Sequence, residues 1–433
     1  MRAYKVPEKL QGEVERQIND MLANGIIRES NSPIVSPLVC VLKGKDGCNG
    51  VGLAIDYRYV NRYTVSDAFP IHDIEDIIQK IGNKHFLSSY DCVKGYHQCC
   101  VREQDKWLTA FVCPGKLYEY NRTPFSMKNA GQTFFRAMQL ILHPIREFAE
   151  SYVDDSAVHS DAWRSHLIHN EEFLKVMRKE GITLNLNKSR FAQPAVKFCG
   201  EIVGSGRRSP DPDKVAAIKD LKVPETKKQL RGILGFFAYF RRHLKGFADK
   251  AKILTDLTAK RVPQNIKSHW TEAHSEALER LKQDLIKACE ASLHIIRLDR
   301  PFHVYVDASS FAAGGHLGQL NDEGVECPIS FFSTKLTATQ RNWSTIEREA
   351  FAVLLAPNKF KQWFFGSKII IHSDHNPLTF LTESAPKSSK LMRWSLALAE
   401  YDIEFRFNAG KLNVPADTLS RLGSGAYDQS GNV

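Results

Sequence analysis

From Ser151 to Val158 the chain reads Ser-Tyr-Val-Asp-Asp-Ser-Ala-Val, two short apolar runs meeting at adjacent aspartates. The flanks suit a pair of strands, and the acids suit the tight turn between them. Neighbouring carboxylates repel one another unless a cation lies between them. Such a tip is therefore either plain turn chemistry or a seat for metal. A strand-like run upstream, Phe86 to Asp91, also ends in aspartate. Two acidic strand ends with apolar flanks favour hard cations, magnesium first. Two such ions about 4 Å apart can activate a hydroxyl and stabilise a leaving pyrophosphate.

The surrounding pattern is a mixture of helix and strand. Residues 7–25 carry Leu10, Val14, Ile18 and Leu22 at helical spacing, opened by Pro7 and closed by Asn24-Gly25. Leu38–Leu42 and Leu53–Tyr57 flank a glycine-rich turn and predict a hairpin. Isoleucines at 71, 74, 77, 78 and 81 predict a helix, as do Ala130–Phe148 and His166–Gly181, the last with Leu167, Phe173, Leu174 and Met177 as its apolar positions. From Phe302 strands return: 302–307, 329–332 and, after a helix over 345–365, 368–372. The boundaries drawn are 1–205, 206–295, 296–422 and a loose tail, 423–433.

Composition narrows the class. With 43% hydrophobic and 25% charged residues among 433, the chain is not of a disordered type. It contains no apolar run of membrane-spanning length, and its N-terminus does not read as a signal peptide. Nine cysteines with no CxxC pair suit reduced thiols inside a cell. The net charge is +10, and Gly206–Glu290 alone holds 19 Lys and Arg against 11 Asp and Glu. That local excess suits a polyanion such as a nucleic-acid backbone, or else a solvated helical surface.

A second acidic set lies near the C-terminus. Asp307 ends Tyr305-Val306-Asp307, Glu349 sits in a helical run, Asp374 follows Ile369–Ser373, and Asp417 lies in Pro415-Ala416-Asp417-Thr418. Singly, each suits a surface or a helix cap. Together they could hold two magnesium ions that activate water against a phosphodiester.

The segments resemble, in order, the polymerases of gypsy-type LTR retrotransposons. Tyr152-Val153-Asp154-Asp155 looks like the reverse transcriptase signature. Ser30 to Pro37 resembles the fingertip entry, Asp56-Tyr57-Arg58-Tyr59-Val60-Asn61 the DYRxLN strand, and Asp91 to Gln98 DxxxGYHQ. Arg122 to Phe134 resembles RxPFGLxNAxxTF, and Phe198-Cys199-Gly200 the primer-grip hairpin. The C-terminal acids sit in contexts similar to those of the ribonuclease H fused to such polymerases. The resemblance implies an α+β multidomain fold. A right-hand fingers–palm–thumb polymerase, with its palm on an antiparallel sheet, would be followed by a basic connection and an RNase H-like α/β domain.

The resemblance also implies roles. Asp91 and Asp154 would ligate both ions of the polymerase site, with Asp155 in support and the Cys92 carbonyl as a further ligand. Tyr96 would sit under the incoming sugar and exclude a 2′-hydroxyl. Phe125 and Gln132 would border the nucleotide. Lys43 or Lys45 would reach the triphosphate, unless both are solvated loop charges. Asp307, Glu349, Asp374 and Asp417 would hold the nuclease metals, and Glu349 is preferred to Glu347 because Ala350 and Ala352 follow it. Arg231, Arg241, Arg242 and Lys245 would track hybrid phosphates. Phe236, Phe237, Tyr239 and Phe240, interleaved with them, suit core better than base stacking.

Magnesium, two ions per site, is the implied cofactor, with manganese as a substitute. RNA template, DNA primer, RNA–DNA hybrid and deoxynucleoside triphosphates are the implied partners, without a membrane. A homodimer, or a polyprotein with protease and integrase, would be the setting, in cytoplasmic virus-like particles or the nucleus. Two departures from the family favour an alternative, a weakened or dead remnant that only binds hybrid. Gly52 stands where the family carries a triphosphate-binding Arg. Ser126 replaces the Gly of PFG and is strained if that position needs positive φ.

Overall fold

The computed structural model describes residues 4–42, 50–113, 115–219, 221–373 and 389–407. The chain forms two compact units, Met1–Cys199 and Gly200–Val433.

The first unit opens with helix α1 (Gln11–Ala23), which buries Val14 and Ile18. Strands β1 (Ile27–Glu29), β2 (Ser36–Leu42) and β3 (Val51–Ile55) follow, then α2 (Arg58–Tyr63) and α3 (Ile74–Gly82). Next come β4 (Phe86–Asp91), β5 (Phe111–Cys113), β6 (Lys116–Tyr120) and α4 (Ala130–Leu142). The unit ends with β7 (Ala149–Tyr152), β8 (Asp155–Ser160), α5 (Trp163–Lys179), β9 (Arg190–Gln193) and β10 (Ala195–Phe198).

Two sheets organise these elements. One has the order β1-β6-β5-β2-β3, the other β7-β8-β4-β9. All the pairings recorded in the second sheet are antiparallel. Helices α4 and α5 close its core, where Tyr90, Phe134, Met138, Val158, Phe173 and Met177 pack. Tyr90 stacks on Phe173 with centroids 4.6 Å apart.

Three local expectations are corrected. The helix from Ala130 stops at Leu142, and a 3-10 turn containing Pro144 follows, because proline cannot donate the next helical hydrogen bond. In α5 the buried face is His166, Phe173 and Met177, while Leu167 and Leu174 are 53% and 38% exposed. The turn after Tyr152 is Val153-Asp154; Asp155 already pairs with Tyr152 as the first residue of β8.

The second unit begins with strands β11 (Glu201–Gly204) and β12 (Arg207–Pro210). Helices α6 (Pro212–Lys219), α7 (Lys227–Tyr239), α8 (Phe247–Lys250), α9 (Lys252–Asp256) and α10 (Glu272–Glu290) then form a bundle around Leu230, Phe237, Phe240, Leu254, Leu281 and Leu285. Phe237 and Phe240 are core, as expected, whereas Tyr239 is 47% exposed. The short β13 (Leu293–His294) pairs with β12.

The remaining residues build a mixed sheet. Its strands are β14 (Phe302–Ala308), β15 (Ala312–Leu320), β16 (Glu326–Lys335), β17 (Lys368–Ser373) and β18 (Asp402–Phe407), in the order β16-β15-β14-β17-β18. Strands β14, β17 and β18 run parallel. Between β16 and β17 lie α11 (Ala338–Arg341) and α12 (Thr345–Phe364). Helix α12 packs on the sheet face formed by Phe302, Val304, Val306, Ile369 and Ile371. The glycine-rich β15, which lacks an obvious strand pattern, escaped the sequence reading. Among the described residues no helix is long and apolar enough to cross a membrane, and the eight described cysteines are free thiols.

Candidate active site

Strand pairing assembles the first acidic site. Asp91 lies directly opposite Asp155 in the β4–β8 ladder, where facing Cβ atoms are about 5 Å apart. Asp154 occupies the turn beside them, and its carbonyl accepts the Cys92 N–H at 3.2 Å. Val153, at φ 53°, makes that turn possible. A β-branched residue there is strained by about 1–3 kcal/mol.

The electrostatics fit a cation site. Burial first, and the charges of Asp155 and Asp91 next, raise the Asp154 carboxyl above the usual aspartate range, with Lys188 opposing. Lys188 Nζ lies 3.3 Å from Asp91 Oδ2. Asp154 Oδ1 is buried without a hydrogen-bond partner among the described residues. Asp155 Oδ2 instead accepts the Cys199 N–H at 3.0 Å, so this acid is held in place by backbone. Among the described residues no three acidic, His or Cys side chains are grouped closely enough to hold a metal ion by themselves. Two carboxylates plus a backbone carbonyl suit an open magnesium site, which keeps positions for water and substrate phosphates.

Of the residues expected around the nucleotide, Tyr96 and Phe125 pack against each other. Tyr96 is half-buried, with its ring 5.2 Å from Phe125, and burial, then the Asp154 charge, raises its phenol. Phe125 is 44% exposed. Gln132 is half-buried in the first turn of α4. Ser126 does adopt positive φ, 72°. Asn61, in the DYRxLN-like segment, holds that bend: Nδ2 donates to the Ser126 carbonyl and Oδ1 accepts the Lys128 N–H, both at 2.8 Å. Gly52 lies in β3 opposite Val41. Lys43 and Lys45 fall outside the described residues.

Phe198 is buried at the end of β10, and Cys199 and Gly200 both take left-handed backbone, φ 50° and 80°. Sequence reading missed a buried pair in the next hairpin. Arg208 donates twice to Glu201, at 2.8 and 2.9 Å, with His243 Nε2 3.4 Å from the same carboxylate. Despite desolvation, Arg208 and His243 hold Glu201 down at about 2. Nothing in single-residue pattern marks an arginine in such a basic stretch as core.

The second acidic set is partly visible. Asp307, in β14, and Glu349, on α12, are both buried. The Ala308 N–H donates to Glu349 Oε1 at 3.2 Å, which brings that carboxylate to the strand end. Glu347 turns away: it caps α12 through Ser344 and pairs with Lys390 at 3.2 Å. Asp374, which directly follows β17, and Asp417 lie outside the described residues. Asp249, on α8, lines a small cavity with Asp307, Gly314 and Ser333. Burial pushes its carboxyl up to about 6, with Lys252 opposing and Asp307 adding.

The basic candidates are scattered in environment. Arg231 donates to the Thr258 carbonyl at 3.2 Å. Arg241 is exposed and Arg242 half-exposed. Lys245 is half-buried, and its ammonium is lowered by burial and by Lys250.

Comparison with known proteins identifies two domains along the chain. Residues 45–203 match the family model described as reverse transcriptase (RNA-dependent DNA polymerase). Residues 297–401 match the RNase H-like domain found in reverse transcriptase. Among curated proteins, the chain is 35% identical over 97% of its length to the retrovirus-related Pol polyprotein from transposon opus of Drosophila melanogaster. It is 32% identical, again over 97%, to that from transposon gypsy of the same fly. It spans 43% and 41% of those two polyproteins. Among solved structures, the foamy viral protease-reverse transcriptase in complex with dsDNA aligns with a TM-score of 0.78 at 24% identity, over 94% of this chain and 84% of that one. The same viral protein in complex with RNA/DNA hybrid gives 0.76 at 23%, over 100% and 57%. At these identities the likeness speaks for fold alone. With two family matches in order, the chain carries a reverse transcriptase domain followed by an RNase H-like domain, and along nearly its whole length it is similar to retrovirus-related Pol polyproteins of transposons, of which it spans less than half.

Proposed function

We propose that this chain copies retrotransposon RNA into DNA and degrades the RNA strand of the product hybrid. The observation that carries this reading is the Asp91–Asp155 pair flanking the buried, unpartnered Oδ1 of Asp154. Asp91, Asp154 and the Cys92 carbonyl would hold two magnesium ions, with Asp155 in support. When bound, such ions lower the pKa of the primer 3′-hydroxyl and neutralise the leaving pyrophosphate. The chain's own part is positioning. Tyr96, packed on Phe125, offers a ring for the deoxyribose, and Gln132 borders the base.

In the second unit Asp307 and Glu349 would hold the nuclease metals with Asp374 and Asp417. The partners are RNA template, DNA primer, hybrid and deoxynucleoside triphosphates. A second reading, a weakened polymerase that retains hybrid binding, draws on Gly52 and on the positive φ of Ser126. Primer extension on poly-rA/oligo-dT with magnesium separates the two. Extension abolished by Asp154→Asn but intact in Asp307→Asn, with the opposite pattern for hybrid cleavage, supports two working sites. Background extension by the unaltered chain alongside tight hybrid binding would leave the second reading.

A further inference from the structure

We propose that Gln98 is a positioning residue for the polymerase metal site, its side-chain amide serving as a substitute strand between residues 91–93 and 183–185. The inference deepens the polymerase reading and rests on it. The 3-10 turn Gly95–Gln98 folds the chain back, with the His97 N–H donating to the Lys94 carbonyl at 2.8 Å. The Gln98 side chain then crosses its own turn. Nε2 donates to the Val93 carbonyl at 2.7 Å and to the Thr183 carbonyl at 3.0 Å, while Oε1 accepts the Thr183 N–H at 2.8 Å.

These bonds complete a lacing that the backbone makes only in part. Val93 N–H donates to the Thr183 carbonyl at 3.0 Å, and Asn185 N–H to the Asp91 carbonyl at 2.8 Å. Cys92 bridges Leu184. The segment so fixed contains Asp91 and the Cys92 carbonyl, and the same Cys92 N–H holds the Asp154 carbonyl. Lys94, a non-glycine residue at φ 46°, follows it directly and sits inside the loop that Gln98 closes onto Val93. Such a conformation persists only where its surroundings enforce it. Gln98 supplies three of the enforcing bonds, to Val93 on one side and Thr183 on the other.

The test uses the full chain with Gln98→Leu, which removes all three bonds, and Gln98→Glu, which keeps the acceptor for Thr183. Gln98→Leu is expected to lower kcat for primer extension on the order of 10- to 100-fold, as small misplacements of reacting groups do. It should raise the magnesium concentration for half-maximal rate, with primer–template Kd and hybrid cleavage unchanged. Gln98→Glu should fall between it and the wild type. Faster hydrogen exchange at the Val93 and Thr183 amides, and a smaller magnesium-induced rise in Tm, should accompany both. If Gln98→Leu fails to fold, Gln98→Glu carries the test. Kinetics, magnesium dependence and exchange all within twofold of wild type would overturn the proposal. A wild-type chain without extension would refute the polymerase reading instead, leaving exchange and the magnesium Tm shift to judge the lacing.

Discussion

Gly95 leaves the space that the Asp154 carboxylate occupies. A Cβ added at 95 would overlap Oδ1 and come within 2.9 Å of the Phe134 ring. Phe134 is fully buried and cannot yield. Gly95→Ala should therefore displace Asp154 and cut the extension rate on the order of 100-fold, leaving hybrid cleavage by the other unit unchanged. Single-turnover extension and a cleavage assay on the same preparation check both halves.

Asp154 also makes a pH prediction. Its folded pKa lies above the unfolded one because of burial and its acidic neighbours. Its contribution to stability is thus fully present below the unfolded value, near 4, and is lost as pH rises through the folded value. In chelator, Asp154→Asn should melt at a higher temperature than wild type at pH 7, and the gain should vanish below about pH 4. Magnesium should raise the wild-type Tm by more than that of the variant, which keeps the second acidic set. Calorimetry with and without the metal decides.

Ser126 carries backbone strain that glycine would not. Ser126→Gly should stabilise the fold by about 1 kcal/mol, measured by urea denaturation. Gly52→Arg should act differently, lowering the nucleotide KM about tenfold by restoring a charge-assisted phosphate contact of about 1.5–3 kcal/mol. Steady-state kinetics against nucleotide concentration separates the two effects.

The Glu201–Arg208 pair is buried on both sides, 4% and 1% exposed. Arg208→Met leaves the buried carboxylate with His243 as its remaining cationic neighbour and should cost about 3–5 kcal/mol, whereas Glu201→Leu combined with Arg208→Met should come close to wild type. Urea unfolding of the single and double variants tests this. A double variant as unstable as the single would mean that the pair's shape, not its charge, matters.

Neutralising Arg241, Arg242 and Lys245 together should flatten the dependence of hybrid affinity on salt. The slope of log K against log salt should fall by about 2 to 3. Titrations at several salt concentrations measure it, and an unchanged slope would remove these residues from the hybrid track.

Much was legible in the residues themselves. Alternation and apolar spacing located β4, the β7–β8 hairpin and α12, and acids at strand ends marked the candidate sites. The order of the motifs carried the family resemblance, because spacing along a chain survives where individual side chains vary. Tertiary structure alone decided which atoms meet. It brought the Glu349 carboxylate to the strand end, where the amide of Ala308 donates to it. It placed Asp249 beside Asp307 and made Arg208 core. It also turned Gln98, a polar residue in a loop, into the link between Val93 and Thr183, the latter 85 positions beyond it along the chain. Local pattern records what each segment prefers by itself. Pairing between distant segments depends on the packing of the whole unit, and no short stretch of sequence encodes that.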